Sequence, residues 1–341
     1  MTTIVLLSNS MVKKQAFFTS NFGKITQHIK CINAKTDTPQ PIGNKNGYLV
    51  ACQRINNYIA EHYDMKNIII AIESYLDKVD DIWYDKCVVV IRWKDTIIHT
   101  VSKTLVSFDN SLMDMLIQNS KEMPHGRDVT LGSIIGDIYN TASDNWYECY
   151  NKFDRVHHIK ETINQIIIDN KLKKLVYDNI PKIQDFPKKG ILFSDVISMF
   201  SDKLIVSIIM YYIKQLIIID CDIESAFDYI VGLESRGFII GSMIANELGC
   251  GFVPIRKAGK LPGETYQAKY IKEYGEDVFE IQKNALRENA RVLVVDDILA
   301  TGGSLMAAKE LLSNYSNIQI DYFVMEDVLH TFKDENVMTL F

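Results

Sequence analysis

One stretch constrains the fold of this chain more than any other: Val292-Leu293-Val294-Val295-Asp296-Asp297-Ile298-Leu299-Ala300-Thr301-Gly302-Gly303-Ser304. Four apolar residues read as a buried strand that ends in two adjacent carboxylates, and a loop of small residues then opens a helix. Residues 229–233 and 252–255 are further short apolar runs followed by polar loops, with helical spacing around 239–248 and 304–314. Strand, loop and helix in repetition predict a parallel α/β sheet whose site lies at the carboxyl ends of its strands. Glycine use points to the same half, since 6 of the 17 glycines fall in 1–170 and 11 in 171–341. Glycine is where backbone turns sharply or lets a ligand come close.

Each part of the stretch has a physical task. Ala300, Thr301, Gly302, Gly303 and Ser304 can present successive backbone N–H groups and two hydroxyls to a phosphate at a helix N-terminus. Asp296 and Asp297 are repelled by that phosphate but suit neighbouring sugar hydroxyls, which donate to carboxylates. A phosphorylated ribose meets both demands. Two aspartates after a strand are by themselves more often a helix cap and a solvated turn; the glycine loop in register behind them outweighs that reading.

This stretch resembles the phosphoribosyl-diphosphate (PRPP) motif of type I phosphoribosyltransferases. Asp185-Phe186-Pro187-Lys188-Lys189-Gly190-Ile191-Leu192-Phe193, Gly232-Leu233-Glu234-Ser235-Arg236-Gly237-Phe238, Ile255-Arg256-Lys257-Ala258-Gly259-Lys260-Leu261-Pro262-Gly263 and Glu273-Tyr274-Gly275 resemble adenine phosphoribosyltransferases in order and spacing. The resemblance implies that Asp296 and Asp297 hold the ribose of PRPP and that residues 300–304 hold its 5′-phosphate. It implies that Ser235 and Arg236 form the pyrophosphate loop, with Arg256, Lys257 and Lys260 adding three cations on a loop that Gly259 and Gly263 free to close. Glu273 would be the acid/base at the purine's imidazole edge, and Leu192, Phe193 and Ser194 would contact adenine. Mg²⁺ arrives with PRPP. Relatives acting on 6-oxopurines usually carry Asp where this chain has Ala300, so the base expected is adenine. The family commonly has Arg at the place of Ser194.

In the first half, residues 3–7, 67–72 and 87–92 read as strands and 48–63 and 156–168 as helices. Ser8-Asn9-Ser10-Met11-Val12-Lys13-Lys14-Gln15-Ala16 resembles the opening motif of inosine/xanthosine triphosphatases, and Thr38-Pro39-Gln40-Pro41-Ile42-Gly43 and Ile70-Ala71-Ile72-Glu73-Ser74 fall where that family has comparable segments. The resemblance implies nucleotide contacts at Ser8 and Lys13 and Mg²⁺ at Glu73. The chain departs from it at Ser10, Met11, Asn44-Lys45-Asn46, Ser74 and Tyr75, so a degenerate nucleotide-binding or packing domain stands as the alternative to hydrolysis of ITP or XTP. Asp77, Asp80, Asp81 and Asp85 read as a solvated loop, and His157-His158 as surface residues.

The net charge of −6 divides as −1 over 1–170 and −5 over 171–341, which disfavours a phosphate-neutralising nucleic-acid surface. The opening residues carry only four consecutive apolar positions with no cationic segment before them, and 204–219 is too short and interrupted to span a bilayer, so neither a leader nor a membrane span is expected. Six scattered cysteines without CxxC spacing suggest reduced thiols in the cytoplasm. The chain is thus expected to be α/β, with an amino-terminal mixed α/β NTPase-like domain (1–170) and a carboxyl-terminal type I phosphoribosyltransferase domain with a central parallel sheet (171–341). The expected function is purine salvage, adenine and PRPP giving AMP and pyrophosphate, in a homodimer by resemblance. The alternatives are a PRPP- or purine-binding regulator without catalysis, or a phosphoribosyltransferase for another base.

Overall fold

The computed structural model describes residues 2–26, 28–141, 143, 146–147, 154–186, 188–220, 227–272, 275–328 and 337–341. They divide into two compact units, Met1–Ile180 with Asp202–Ser207, and Pro181–Ser201 with Ile208–Phe341.

In the first unit, β1 (Ile4–Leu6), β2 (Ile29–Cys31), β3 (Ile68–Val79), β4 (Ile82–Trp93), β5 (Thr96–Val101) and β6 (Val106–Phe108) form one mixed sheet in the order β2-β1-β3-β4-β5, with β6 on β4. β1 runs parallel to β2 and β3, and the remaining pairs are antiparallel. The strands expected at 67–72 and 87–92 are longer, pairing from Ile68↔Trp93 to Val79↔Ile82. The hairpin is covered on both faces. Tyr75 packs with Ala51, Ile55 and Tyr58 of helix Asn44–His62, while its neighbour Leu76 packs with Leu112, Leu116, Leu131 and Trp146. Two-sided burial replaces alternation with a near-continuous apolar run, which hides the strand's true length.

This hairpin corrects the reading of the aspartate run as a solvated loop. Asp80 and Asp81 form its two-residue tip, both with positive φ (48° and 64°), as a hairpin turn that follows strand twist requires. Asp77 and Asp85 lie on the strands. Asp77 pairs with Lys86 at 2.7 Å, and Asp85 is 3% exposed. His158 is likewise no surface residue. It lies on helix Arg155–Ile168 at 3% exposure, and burial, helped by Arg155 and His157, pushes its pKa from 6.5 down to about 4. Between those values the unfolded chain takes up a proton that the folded chain refuses, so stability falls with pH through that window. Chemical denaturation at pH 6.5 and pH 4 should show a loss of about 3 kcal/mol from this one group, since one pKa unit is about 1.4 kcal/mol. His158→Leu should remove that part of the slope.

The second unit is built on a seven-stranded sheet. Its elements are β7 (Lys182–Gln184), β8 (Leu192–Ser194), β9 (Tyr229–Leu233), β10 (Gly251–Lys257), β11 (Thr265–Lys272), β12 (Gly275–Gln282), β13 (Arg291–Leu299), β14 (Gln319–Asp327) and β15 (Val337–Thr339). The order is β11-β12-β10-β9-β13-β14-β15, with the core β10-β9-β13-β14 parallel and β11-β12 an antiparallel hairpin. β7 and β8 form a separate antiparallel pair. The expected parallel sheet is present, and β13 differs from expectation in one respect. It continues through Asp296 and Asp297 to Leu299, because Asp296, Ile298 and Leu299 keep pairing with β14. The apolar stretch at 204–219 lies on helix Lys203–Asp220, with Leu204, Ile208, Tyr212 and Ile213 buried. Among the described residues no helix is long and apolar enough to cross a membrane. Cys31, Cys52, Cys87 and Cys250 are free thiols, and Cys149 and Cys221 lie outside the described residues.

Candidate functional site

The parallel strands of the second unit run in the order 2-1-3-4-5 along the sheet, so the chain reverses direction of travel between β9 and β13. A crevice opens at such a switch point, outside the carboxyl ends of the two strands. β9 ends at Leu233 and leads through Glu234 and Ser235 into helix α1 (Arg236–Leu248); β13 carries Asp296 and Asp297 at its own carboxyl end. The two segments meet closely. A Cβ built on Gly237 would stand 2.4 Å from the Val295 carbonyl oxygen, so only glycine lets α1 start this near the strand.

Arg236 ties the site together. Its Nε lies 3.0 Å from Asp297 Oδ2, and its guanidinium sits 5.4 Å from the centre of the Phe193 ring. Phe193 packs edge-on against Phe186. One arginine therefore brings the segment expected to meet the base beside the carboxylate expected to meet the ribose. Asp297 is 2% exposed. Burial and the neighbouring Asp297 push the Asp296 carboxyl well above the usual range, and burial also raises Asp297 against the pull of Arg236. Such a pair favours a ligand that donates hydrogen bonds or brings positive charge to it. Ser194 differs from Phe193 in its partner: its Oγ accepts from Lys182 Nζ at 2.6 Å, and Lys182 also lies 3.8 Å from Glu326.

Beyond Leu299, Gly302 adopts φ 81° and opens helix α2 (Gly303–Leu312) without any side-chain cap. The first N–H groups of a helix have no partner within it, so this end offers donors that its own sequence leaves uncapped. Ala300 and Thr301 are exposed, and Gly303 and Ser304 half-buried.

The segment that carries the three cations is anchored by two carboxylates that sequence reasoning missed, chiefly through its backbone. Glu234 Oε2 accepts from the Lys257 N–H at 2.9 Å and from Arg256 Nε at 3.3 Å. Burial works to raise the Glu234 pKa, but these hydrogen bonds hold it below the ordinary value. Glu280, 2% exposed on β12, accepts the N–H groups of Lys260 and Leu261 at 2.7 and 2.8 Å. The side chain of Lys257 also lies 3.4 Å from Asp277. Gly259 and Gly263 supply turns of φ 80° and 79°. The loop is thus folded around Glu280. A lone glutamate in the apolar run Val278-Phe279-Glu280-Ile281 is the signal that could have revealed it. Glu273 lies outside the described residues.

In the first unit, Lys13 and Glu73 line a cleft of about 170 Å³ together with Ser10, Ser74, Asp85 and Arg155. Ser8, buried, accepts the Ser10 N–H and is not part of the lining. Glu73 Oε2 accepts from Arg54 Nε and Nη2 at 3.1 and 2.9 Å, and its Oε1 lies 3.7 Å from Lys13 Nζ. Mg²⁺ demands a near-octahedral shell of oxygen ligands. Here the carboxylate faces two cations, and among the described residues no three His, Cys, Asp or Glu side chains gather to hold a metal. The residues present do not fit Mg²⁺. Arg54, Arg155 and Asp85 were not singled out as site residues from the sequence.

Comparison with known proteins bears on the second unit. The phosphoribosyl transferase domain family matches residues 201–331. Adenine phosphoribosyltransferase 1 of Saccharomyces cerevisiae is 50% identical over 148 residues, covering 42% of this chain and 76% of that protein. Adenine phosphoribosyltransferase of Debaryomyces hansenii is 44% identical over 163 residues, 46% of this chain and 82% of that one. A solved adenine phosphoribosyltransferase from S. cerevisiae, complexed with an imino-altritol bisphosphate and adenine, aligns with TM-score 0.48 and 40% identity, covering 50% of this chain and 99% of that one. Identity at this level over three quarters of the yeast protein means that the chain belongs, through its carboxyl-terminal half, to the adenine phosphoribosyltransferase family.

Proposed function

We propose that residues 171–341 transfer the 5-phosphoribosyl group of PRPP, taken up as its Mg²⁺ complex, to adenine, giving AMP and pyrophosphate in purine salvage. The observation that carries this reading is the joint placement of Asp296, Asp297 and the uncapped start of α2 at one switch point, with Arg236 linking them to Phe193. In this reading Asp296 and Asp297 accept from the ribose hydroxyls, and Ala300, Thr301, Gly302, Gly303 and Ser304 donate to the 5′-phosphate. Ser235, Arg236, Arg256, Lys257 and Lys260 stabilise the departing pyrophosphate, whose charge grows as the bond to ribose breaks. Leu192, Phe193 and Ser194 meet adenine, and Glu273 handles the proton on its imidazole edge. Closure of the basic loop would keep water from capturing the cationic ribose. A homodimer in the cytoplasm is part of the same reading.

The test is a PRPP-dependent nucleotide-formation assay with Mg²⁺, offering adenine, hypoxanthine and guanine separately. AMP from adenine alone is expected. Another base preferred would point to the altered position at Ser194, and PRPP binding without any product would make the protein a regulator.

A second reading attaches to the first unit, where Lys13 and Glu73 on one cleft support recognition of a purine nucleotide. Hydrolysis of ITP or XTP is its stronger form, and the two cations on Glu73 weigh against it. Pyrophosphate release from inosine triphosphate with Mg²⁺, in the absence of PRPP, tests that form.

A further inference from the structure

At the other end of its sheet from the Lys13 cleft, the first unit has a second cavity of about 230 Å³. Thr2, just before β1, and His28, just before β2, lie in its lining, so it opens at the amino ends of two parallel strands, whereas Ser8 comes after β1. Lys24 enters from helix Asn21–Ile25 and Lys203 from the start of helix Lys203–Asp220. All of the lining belongs to this unit. Two lysines and a histidine thus meet in one cavity that no carboxylate lines. Among the described residues these three side chains have no hydrogen-bond or ion-pair partner.

The carboxylate next to Lys203 in sequence is committed to backbone. Asp202 Oδ2 accepts from the Thr2 N–H at 2.6 Å, and its Oδ1 accepts from the N–H groups of Leu204 and Ile205 at 3.0 and 3.5 Å. Even with Asp202 counted, two ammonium groups face one carboxylate. Lys203 also stands where a helix disfavours a cation. Beyond its capping Asp202, this 18-residue helix has no acidic residue in its first turn, and a helix N-terminus is the positive pole of its dipole. An anion held beside Lys203 relieves both repulsions. Thr26 adds a hydroxyl: its Oγ1 accepts from the His28 N–H at 3.1 Å, which leaves its own O–H to donate. Leu204, 4% exposed, makes part of the wall apolar. Charges of one sign beside such a low-dielectric wall focus their field on the space between them.

We propose that this cavity binds a small tetrahedral dianion of the phosphate class, free or as the phosphate of a small ester. Lys24 and Lys203 supply the charge, and the His28 ring N–H and the Thr26 hydroxyl supply directed donors. Two ammonium groups match a dianion better than the single charge of a carboxylate. The volume lies below the roughly 300 Å³ at which pockets for drug-sized ligands begin, which favours phosphate or a small ester over a whole nucleotide. The site is separate from both functional readings above, since none of its residues belongs to either.

Both lysines are exposed, so an acetylating reagent reaches them. Their acetylation rates in the full chain, read residue by residue by mass spectrometry, report on this cavity and not on phosphate held elsewhere. The rates would be followed against inorganic phosphate, ribose 5-phosphate and, at matched ionic strength, sodium chloride, with the exposed Lys30 outside the cavity as reference. Phosphate or its ester should slow Lys24 and Lys203 together, at one half-saturating concentration, and leave Lys30 unchanged. Lys203→Met should raise the concentration that half-protects Lys24 about tenfold or more, the scale of one charge-assisted hydrogen bond, and Lys203→Arg should keep most of the protection. Circular dichroism melting would check that the variants fold. Protection by either compound supports the site, and the one that acts at lower concentration identifies the source of the anion. Equal slowing by sodium chloride would reduce the effect to screening and overturn the site. Protection of one lysine alone, or protection of Lys24 unchanged in Lys203→Met, would overturn the shared cavity, and no protection by either compound would overturn anion binding itself.

Discussion

Replacing Glu273 by glutamine is expected to lower the turnover number for AMP formation by about 10²- to 10⁴-fold, the usual contribution of a positioned general acid or base. Glutamine keeps the shape and hydrogen-bonding reach of the side chain and loses only its ability to exchange a proton. PRPP binding should therefore change little, because ribose, phosphate and pyrophosphate fall in the proposed reading to groups at the start of α1, on β10 and the loop after it, on β13 and at the start of α2. An equal fall in kcat and kcat/KM identifies an interaction made only in the transition state. The strands on either side of residue 273 have a firm base for such a task. β11 and β12 pair from Thr265↔Gln282 to Lys272↔Gly275, and Glu280 on β12 anchors the neighbouring basic loop. The kinetic measurement should be made across pH, since removing the titrating group should also remove one limb of the kcat/KM profile. Unchanged turnover would transfer the acid/base role to another residue. A rise in KM with kcat preserved would make Glu273 a binding group instead.

The second unit was legible because its chemistry is local in sequence. Asp296, Asp297 and the glycine loop follow one another, and a strand that ends beside a helix start brings them to one crevice without help from distant residues. What escaped notice are the groups whose partners lie far along the chain. Glu280 reaches back 20 residues to Lys260, and Arg54 forward 19 to Glu73. A single charge within an apolar strand or an amphipathic helix looks like a solvated position until its neighbour through space is known. Asp85 was hidden differently. It belongs to a dense run of aspartates, yet strand pairing puts Asp80 and Asp81 at the hairpin tip and carries Asp85 back under Tyr147. His158 follows the same logic, because helical spacing turns it inward while the adjacent His157 stays exposed.

Gly237→Ala should be the most damaging single methyl group in the second unit. Gly237 carries no positive φ, so alanine is conformationally acceptable there and, as a better helix former, would by itself stabilise α1 by up to about 1 kcal/mol. The contact decides otherwise. The new Cβ would lie 2.4 Å from the Val295 carbonyl oxygen and 3.3 Å from the Asp296 Cα, and both obstacles are backbone rather than the end of a flexible side chain. Either α1 retreats or β13 bends, at a cost of about 1–3 kcal/mol for overpacking. Both movements displace the Arg236–Asp297 pair and Asp296. A shift of about 1 Å in a reacting geometry costs on the order of 10²-fold in rate, so AMP formation should fall far more than stability does. Gly249→Ala supplies the comparison. Gly249 ends the same helix at φ 72°, where a Cβ meets nothing within 4 Å; its alanine variant should lose about 1–2 kcal/mol through the left-handed backbone alone. Denaturant unfolding and AMP formation measured on both variants separate the two effects. Comparable stability losses, with activity lost only in Gly237→Ala, would tie the function of this half to the close approach of α1 and β13. Equal activity in the two variants would mean that the crevice tolerates displacement of its arginine, and that the Arg236–Asp297 contact does not set its geometry.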